Sequence, residues 1–305
     1  MDESNDLDEG DVTCIASRAE LFAARNKAHS IHPYLVVVAG PSAGRLIRVD
    51  ARMTLGRAPD AEVRLDEDGV SRRHAAISSQ PDGTVEIRDL GSTNGTLVND
   101  EPIDRRVLRD GDRVIIGHTA ILKFSYCDAV EEAVQRNLYE SATRDGLTGA
   151  HNRRWFDEAA AAELAFARRH NRPLSLIMVD IDHFKLVNDR YGHPGGDAVL
   201  RALGELMTRT VRHEDAVARY GGEEFAILLR DIGLAEAVQC AERVRRAIAE
   251  ARVEHAGQVI PVTASFGVAA VQGGDGPTPA ALVQAADRCL YLAKERGRNR
   301  VESGS

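Results

Sequence analysis

The sequence predicts two domains of different class: an all-β sandwich followed by an α/β domain with a mixed sheet. Three observations carry this. The chain has 305 residues, room for about two ordinary domains. Residues 34 to 125 hold short apolar or alternating runs separated by turn-forming clusters, the pattern of a sandwich. After residue 142, helical periodicity alternates with short apolar runs, which reads as an α/β sheet domain.

In order, residues 1 to 33 open with MDESNDLDEGD, which carries six carboxylates and no base and reads as an acidic disordered tail. Strands are expected at YLVVVA, RLIRV, EVRL, HAAIS, TVEIRDL, RVIIG and AILKF, with turns at GPSAG, APDA, QPDG, STNG and NDEP. No Cys…Trp…Cys pattern is present, which disfavours an immunoglobulin domain. Residues 34–126 are taken as this first domain. Residues 127–142 are taken as a linker helix, with Val130, Val134 and Leu138 at helical spacing. That stripe suits pairing with a second copy or packing on its own domain. The second domain, 143–303, has helices at NRRWFDEAAAAELAFARRH, GDAVLRALGELMTRTV, AEAVQCAERVRRAIAEA and PAALVQAADRCLYLAKERG. Its strands are expected at LSLIMVDID, the hairpin DAVARYGGEEFAILL and QVIPVTASFGVAA. No internal repeat is visible.

The net charge of −8 disfavours nonspecific DNA or RNA binding by bulk charge. No apolar run is long enough to span a bilayer and no signal-peptide pattern follows Met1, so no membrane insertion is expected. Cys14, Cys127, Cys240 and Cys289 form no CxxC pair and read as free thiols in a reducing cytoplasm.

The chemistry concentrates in the second domain. Asp180 and Asp182 end one strand, and Glu223 and Glu224 sit at a hairpin tip. If those strands are neighbours, three or four carboxylates meet, a set suited to a hard cation such as Mg2+. Gly221 and Gly222 lack a Cβ, so a ligand can approach the backbone.

RYGGEEF, with DGLTGAHNRRWF, VDIDHFKLVNDRYGHPGGD and LAKERGRNRV, resembles the signatures of GGDEF domains, the diguanylate cyclases. The resemblance spans residues 142 to 301. It implies a nucleotide-cyclase or polymerase-palm fold and the joining of two GTP into cyclic di-GMP with release of two pyrophosphates, across a homodimer. It implies Mg2+, two per active site with Mn2+ as a substitute, held by Asp180, Glu224 and the Ile181 carbonyl. Glu223 becomes a further ligand or the group that deprotonates the 3′-OH, and Lys185 joins Asp180, Glu223 and Glu224 in the catalytic set. Phe184, Lys185, Lys294 and Arg298 fall where the family holds the triphosphate, at the Gly221–Gly222 turn. Asn188 and Asp197 fall where it reads guanine; a carboxylate there accepts from guanine N1–H and N2–H2, a donor pair adenine lacks. Helix capping is the bland role for both. Glu223 replaces the Asp that names the family, keeping charge and chelation. RHED (212–215) with Arg243 resembles the family's RxxD site, at which the product cyclic di-GMP inhibits through Arg212, Asp215 and Arg243.

LGRAPDAEVRL, DGVSRRHAAI and DLGSTNGTLVN resemble a forkhead-associated (FHA) domain, a phosphothreonine reader. Arg57 and Ser71 would contact phosphate, Arg72 would add charge, and Thr93 and Asn94 would hold peptide backbone. His74 would brace the Gly56–Arg57 loop. Thr13, in the acidic tail, is a candidate phosphosite for this domain or for that of a partner protein. The alternatives are a catalytically inactive cyclic di-GMP receptor and phosphothreonine adaptor, and a cyclase making a mixed GMP-AMP dinucleotide.

Overall fold

The computed structural model describes residues 31–39, 43–50, 52–58, 60–65, 67, 69–80, 82–212, 214–273 and 277–304. Thr13, Cys14 and the acidic start lie outside the described residues. The chain divides into two compact units, with the boundary inside a helix between Arg136 and Asn137.

The first unit is built from β1 (His32–Val37), β2 (Leu46–Arg48), β3 (Met53–Gly56), β4 (Val63–Arg64), β5 (Ala75–Ser79), β6 (Val85–Asp89), β7 (Thr96–Val98), β8 (Glu101–Ile103), β9 (Arg105–Leu108), β10 (Arg113–Ile116) and β11 (Ala120–Cys127). They form a six-stranded sheet in the order β2-β1-β11-β10-β7-β8 and a five-stranded one in the order β4-β3-β5-β6-β9. Alternate residues turn inward, so Ala75 and Ile77, Val85 and Ile87, and Leu122 and Phe124 meet in one core. The strand β1 starts at His32, two residues inside the segment expected to be tail.

Helix α1 (Ala129–Thr143) follows almost directly. Asp128 caps it, accepting from the amides of Val130 and Glu131 at 2.8 Å, and the Glu131 carboxylate accepts from the Asp128 amide at 3.1 Å. The buried Tyr34 hydroxyl donates to Glu132, and burial, with Glu132 beside it, pushes that phenol up to about 12. Val130, Val134 and Leu138 are 61, 51 and 59 % exposed.

The second unit contains β12 (His151–Asn152), α2 (Arg153–His170), β13 (Leu174–Ile181), α3 (Phe184–Thr210), β14 (Ala216–Arg219), β15 (Glu224–Arg230), α4 (Leu234–Glu250), β16 (Val253–His255), β17 (Gln258–Ile260), β18 (Ala264–Val271), α5 (Pro279–Glu295) and β19 (Val301–Gly304). The main sheet runs β12-β14-β15-β13-β18-β19, with β13 antiparallel to both neighbours and parallel pairs at the two edges. Every residue of β13 is buried, because helices cover both faces. Ile177, Val179 and Ile181 pack with Leu203, Met207 and Val244 of α3 and α4. Leu174, Leu176 and Met178 pack with Leu164, Leu282 and Leu290 of α2 and α5. Contact between α5 and β18 is backbone-close: a Cβ on Gly267 would stand 2.1 Å from the Ala286 carbonyl oxygen.

The expected elements change at three places. A helical stretch already starts at Phe184, and within Phe184–Thr210 the GHPGG run breaks it at Gly192 (φ 73°, ψ 167°), where two helical stretches meet at a kink. QVIPVTASFGVAA splits: Gln258–Ile260 pairs with Val253–His255 in a separate two-stranded sheet, and only Ala264–Val271 joins the main one. The short strands β3, β7, β8, β9, β12 and β19 carry too few residues for a legible period.

Candidate functional site

The hairpin β14–β15 and the end of β13 build the site. Their register sets Asp180 directly opposite Glu224. Within the turn, the Tyr220 and Gly221 amides donate to the Glu224 carbonyl at 2.8 and 3.2 Å. Arg219 spans the turn: it donates to the Gly222 carbonyl through Nε and Nη2, and to both Asp145 oxygens at 3.2 and 3.1 Å. Asp145 is held in turn by the amide and hydroxyl of Thr148. The DGLT stretch and the glutamate turn are therefore one mechanical unit.

Asp180 is buried, and the Lys294 ammonium lies 2.7 Å from its Oδ2. Burial pushes the Asp180 carboxyl up, against Lys294. Burial also pushes Glu224 up, then Asp180, with Asp287 and Glu223 adding, while Lys294 opposes. Each carboxylate is raised by burial and by a neighbouring carboxylate, Asp182 acting on Asp180 and Asp180 on Glu224, so the locality is short of positive charge. Together with a main-chain carbonyl at Ile181, Asp180 and Glu224 form an all-oxygen set, which fits a divalent hard cation. Among the described residues no three acidic, His or Cys side chains stand together as a ready cage, and Lys294 supplies the counter-charge.

Asp182 does not join this cluster. Its carboxylate accepts from Thr263 Oγ1 at 2.7 Å, Ser265 Oγ at 2.6 Å and the Asn299 amide at 3.0 Å. That tie holds the loop Gly297–Asn299, whose three residues all have positive φ (107°, 61° and 45°) and which carries Arg298. The glycines also divide their roles. A Cβ on Gly221 would stand 2.6 Å from Glu224 Oε2, so that glycine makes room for the protein's own carboxylate; Gly222 faces open space.

Beside the turn is a cavity of about 290 Å3, lined by Phe184, Lys185, Asn188, Asp197, Gly222 and Glu223, with His193, Leu200 and Arg219. Its polar groups come from both sides of the Gly192 kink. Phe184 itself is buried in the core, and α3 begins with no side-chain cap, so the polar contribution of this position is the amide end of the helix. The sequence reading missed Gly196, whose Cβ would fall 2.0 Å from Asn188 Oδ1. It also missed Arg219; its position before the glycine pair was the available signal.

At the RxxD stretch, Asp215 Oδ2 accepts from the Arg212 amide at 3.0 Å. Asp215 Oδ1 is buried and has no hydrogen-bond partner among the described residues. Burial raises this carboxyl, and the charges of Arg212 and Arg243 both act on it in the lowering direction, so the three residues share one locality. Arg243 donates to the Thr210 carbonyl at 3.3 Å and Cys240 Sγ at 3.4 Å.

In the first unit, the loops after β3, before β5 and before β7 converge. The Arg57 amide donates to the Ser71 carbonyl at 3.1 Å, and the Ala58 amide to the Arg72 carbonyl at 3.0 Å. Ser71 Oγ accepts from the Thr93 amide at 3.1 Å, and Asn94 donates its side-chain amide to the Gly69 carbonyl at 2.9 Å. The side chains of Arg57 and Arg72 are exposed. Wholly buried His74 accepts from the Ser71 amide at 3.0 Å and pairs with the Gly95 carbonyl at 2.9 Å. It braces the Ser71 loop against the Gly95 loop, and it reaches the Gly56–Arg57 turn through Ser71, whose carbonyl accepts from the Arg57 amide. That turn is set by a close approach: a Cβ on Gly56 would lie 2.3 Å from the Arg72 carbonyl oxygen.

No helix of the described residues is long and apolar enough to cross a membrane. Cys127, Cys240 and Cys289 are free and buried.

Residues 53–117 match the FHA domain model, and residues 142–300, just over half of the chain, match the model described as diguanylate cyclase, GGDEF domain. Response regulator PleD of Caulobacter vibrioides is 40 % identical over 185 residues, covering 60 % of this chain and 40 % of PleD. Diguanylate cyclase DosC of Escherichia coli is 36 % identical over 218 residues, covering 71 % of this chain and 46 % of DosC. The chain thus spans less than half the length of these curated relatives. Among solved structures, the coiled coil and GGDEF domain of DgcB from Caulobacter crescentus, in complex with c-di-GMP, aligns with a TM-score of 0.54 at 30 % identity, covering 57 % of this chain and 91 % of that one. Diguanylate cyclase SiaD of Pseudomonas aeruginosa, in complex with its activator SiaC, aligns at 0.53 and 36 % identity, covering 57 % and 66 %. The chain belongs to the diguanylate cyclase GGDEF-domain family and carries an FHA domain ahead of its GGDEF domain.

Proposed function

We propose that this protein condenses two GTP into cyclic di-GMP and two pyrophosphates across a homodimer, gated by phosphothreonine binding to its FHA domain. The observation that carries the reading is the facing of Asp180 and Glu224 beside Lys294, with the adjacent Glu223 lining a cavity that contains Asn188 and Asp197.

In that reading Asn188 and Asp197 take the guanine edge, and Asp197 favours GTP over ATP by accepting from its two donors. Lys185, Lys294 and Arg298 hold the triphosphate, with the amide start of α3 at Phe184 and the Gly221–Gly222 turn shaping its bed. Asp180, Glu224 and the Ile181 carbonyl hold Mg2+, two per site and replaceable by Mn2+, with Glu223 at the rim; bound metal neutralises charge that develops on the α-phosphate. Glu223 takes the proton as the 3′-oxygen of one GTP bonds to the α-phosphorus of the other. The α–β bridging bond breaks and pyrophosphate leaves. Because each unit holds one GTP, two copies must face each other. The exposed stripe Val130, Val134 and Leu138 suits pairing of α1 with its counterpart.

Arg212, Asp215 and Arg243 form the site where product inhibits; the unpartnered Asp215 oxygen suits a guanine N–H. Arg57, Ser71, Arg72, Thr93 and Asn94 receive the phosphothreonine peptide, either from Thr13 or from a partner protein. The protein acts in the cytoplasm, where GTP and the kinase are available.

The test incubates purified protein with GTP, ATP or both plus Mg2+, with product masses as readout and Glu224→Ala as control. Cyclic di-GMP from GTP alone, absent in the control, is expected. A mixed dinucleotide would overturn the role of Asp197. Absence of product, even after addition of a phosphothreonine ligand, would favour an inactive receptor.

A further inference from the structure

The turn between β14 and β15 opens onto both faces of the sheet. On one face is the cavity of about 290 Å3 that contains Asn188 and Asp197. On the other, Tyr220 lines a groove of about 760 Å3 between α2 and α5. The first is at the floor of the range of about 300–1,000 Å3 typical of pockets that bury a small ligand, so it takes a base and leaves the sugar outside. The second is well inside that range and has no role in the reading above.

The groove is wide because its walls are small: Ala160 and Ala161 from α2 face Ala280 and Ala281 from α5. Its polar side chains are Asp157, Tyr220, Thr278, Gln284 and Asp287, and the two aspartates carry its charge. It shares the electrostatic field of the catalytic carboxylates, since Asp287 helps push Glu224 up and Lys294 acts on Asp287 in the opposite direction. The Arg153 guanidinium lies over the Tyr220 ring, 4.4 Å from its centroid, and steadies that wall.

Condensation brings the ribose of a GTP held by one copy to the metal-side carboxylates of the other. The homodimer that the cyclase reading requires joins the two sites when its two-fold axis lies in the plane of the sheet by the hairpin turns, because such an axis exchanges the two faces. It sets the base cavity of each copy opposite the groove of its partner. Charge decides which part of the nucleotide fits there: Asp157 and Asp287 repel a triphosphate but accept from sugar hydroxyls.

We propose that the α2–α5 groove receives the exposed ribose edge of the GTP bound to the second copy, with Asp287 accepting from its 2′-hydroxyl. This rests on the cyclase reading above. Three chains are compared, wild type, Asp287→Asn and Ala161→Tyr, each with GTP and with 2′-deoxy-GTP at saturation. Affinity for a non-hydrolysable GTP analogue, which reads the base cavity and the fold, stays within threefold in both variants. Wild type turns over GTP at least tenfold faster than 2′-deoxy-GTP. In Asp287→Asn that ratio falls to about two or less, and in Ala161→Tyr, where an exposed alanine becomes a plug, turnover of GTP falls at least thirtyfold. An unchanged ratio in Asp287→Asn, or wild-type turnover in Ala161→Tyr, overturns the groove assignment and leaves the cyclase standing. No cyclic product from the wild type overturns both.

Discussion

Replacing Asp182 by alanine separates a structural carboxylate from a metal-binding one. Asp182 is 5 % exposed and accepts three hydrogen bonds, from Thr263, Ser265 and the Asn299 amide. Hydrogen bonds to a charged group contribute about 1.5–3 kcal/mol each, but they are not additive, and donors stranded near the surface recover water. For Asp182→Ala the expected loss is about 3–5 kcal/mol, the range seen when one member of a buried charged network is removed. Asp182→Asn places its oxygen toward Thr263 and Asn299 and its amide toward the rotatable Ser265 hydroxyl, so it costs about 1–2 kcal/mol, the lost charge assistance. The single tryptophan, Trp155, lies in α2, so its fluorescence during urea unfolding follows this unit and not the FHA sandwich. Hydrogen exchange at the Asn299 amide gives the local readout, and it speeds up in both variants. A stability loss below about 1 kcal/mol for Asp182→Ala with unchanged Asn299 protection would refute the argument. So would a shifted Mg2+ dependence with intact stability, since that is the behaviour of a ligand.

Two further outcomes follow from the same geometry. Gly196→Ala drives a methyl into Asn188 Oδ1, and the displaced amide gives up its contact with the base, so affinity for a GTP analogue falls about 10- to 100-fold while unfolding is little changed; binding within threefold of wild type would sever Asn188 from base reading. His151 stacks on Trp155 with centroids 3.5 Å apart, and burial, then the Arg144 charge, lowers its pKa to about 4. Its folded pKa lies below the unfolded value, so the unfolded chain binds the extra proton and stability falls as pH drops from about 6.5 towards 4. Discounted for the part of the ring that meets solvent, this amounts to about 1 kcal/mol between pH 7 and 5, and His151→Gln flattens that slope when unfolding is measured at both pH values.

Much of this fold was legible because its strands are covered in ways that leave a signal. β13 is buried on both faces and reads as a continuous apolar run, whereas β6 and most of β11 alternate. The helical stretch from Phe184 was hidden because the Gly192 kink cuts it short; Val187 before the kink and Val199 after it pack in the same core. At the site, strand pairing brings Asp180 opposite Glu224, which is the part of the expected carboxylate meeting that the structure shows. The role of Asp182 was not legible. Residues 180 and 182 share a strand parity, but β13 ends at Ile181, and the chain turns before the second carboxylate can point the way of the first. The Gly196–Asn188 and Gly221–Glu224 contacts were hidden for another reason: a glycine needed for a neighbour's side chain looks the same in sequence as one needed for a turn.

The facing of Asp180 and Glu224 has a consequence for how this chain tolerates change. That pair is the last of seven between β13 and β15, and the other six, Leu174 with Arg230 through Val179 with Phe225, set the frame. Sliding either strand by one position would turn Ile177, Val179, Ile227 and Leu229 from one helical layer to the other, so the frame cannot creep. Insertions or deletions within 174–180 or 224–230 are therefore all-or-none events. The spacing of the two carboxylates is inherited as a unit with the core, and only point substitutions are left to tune it.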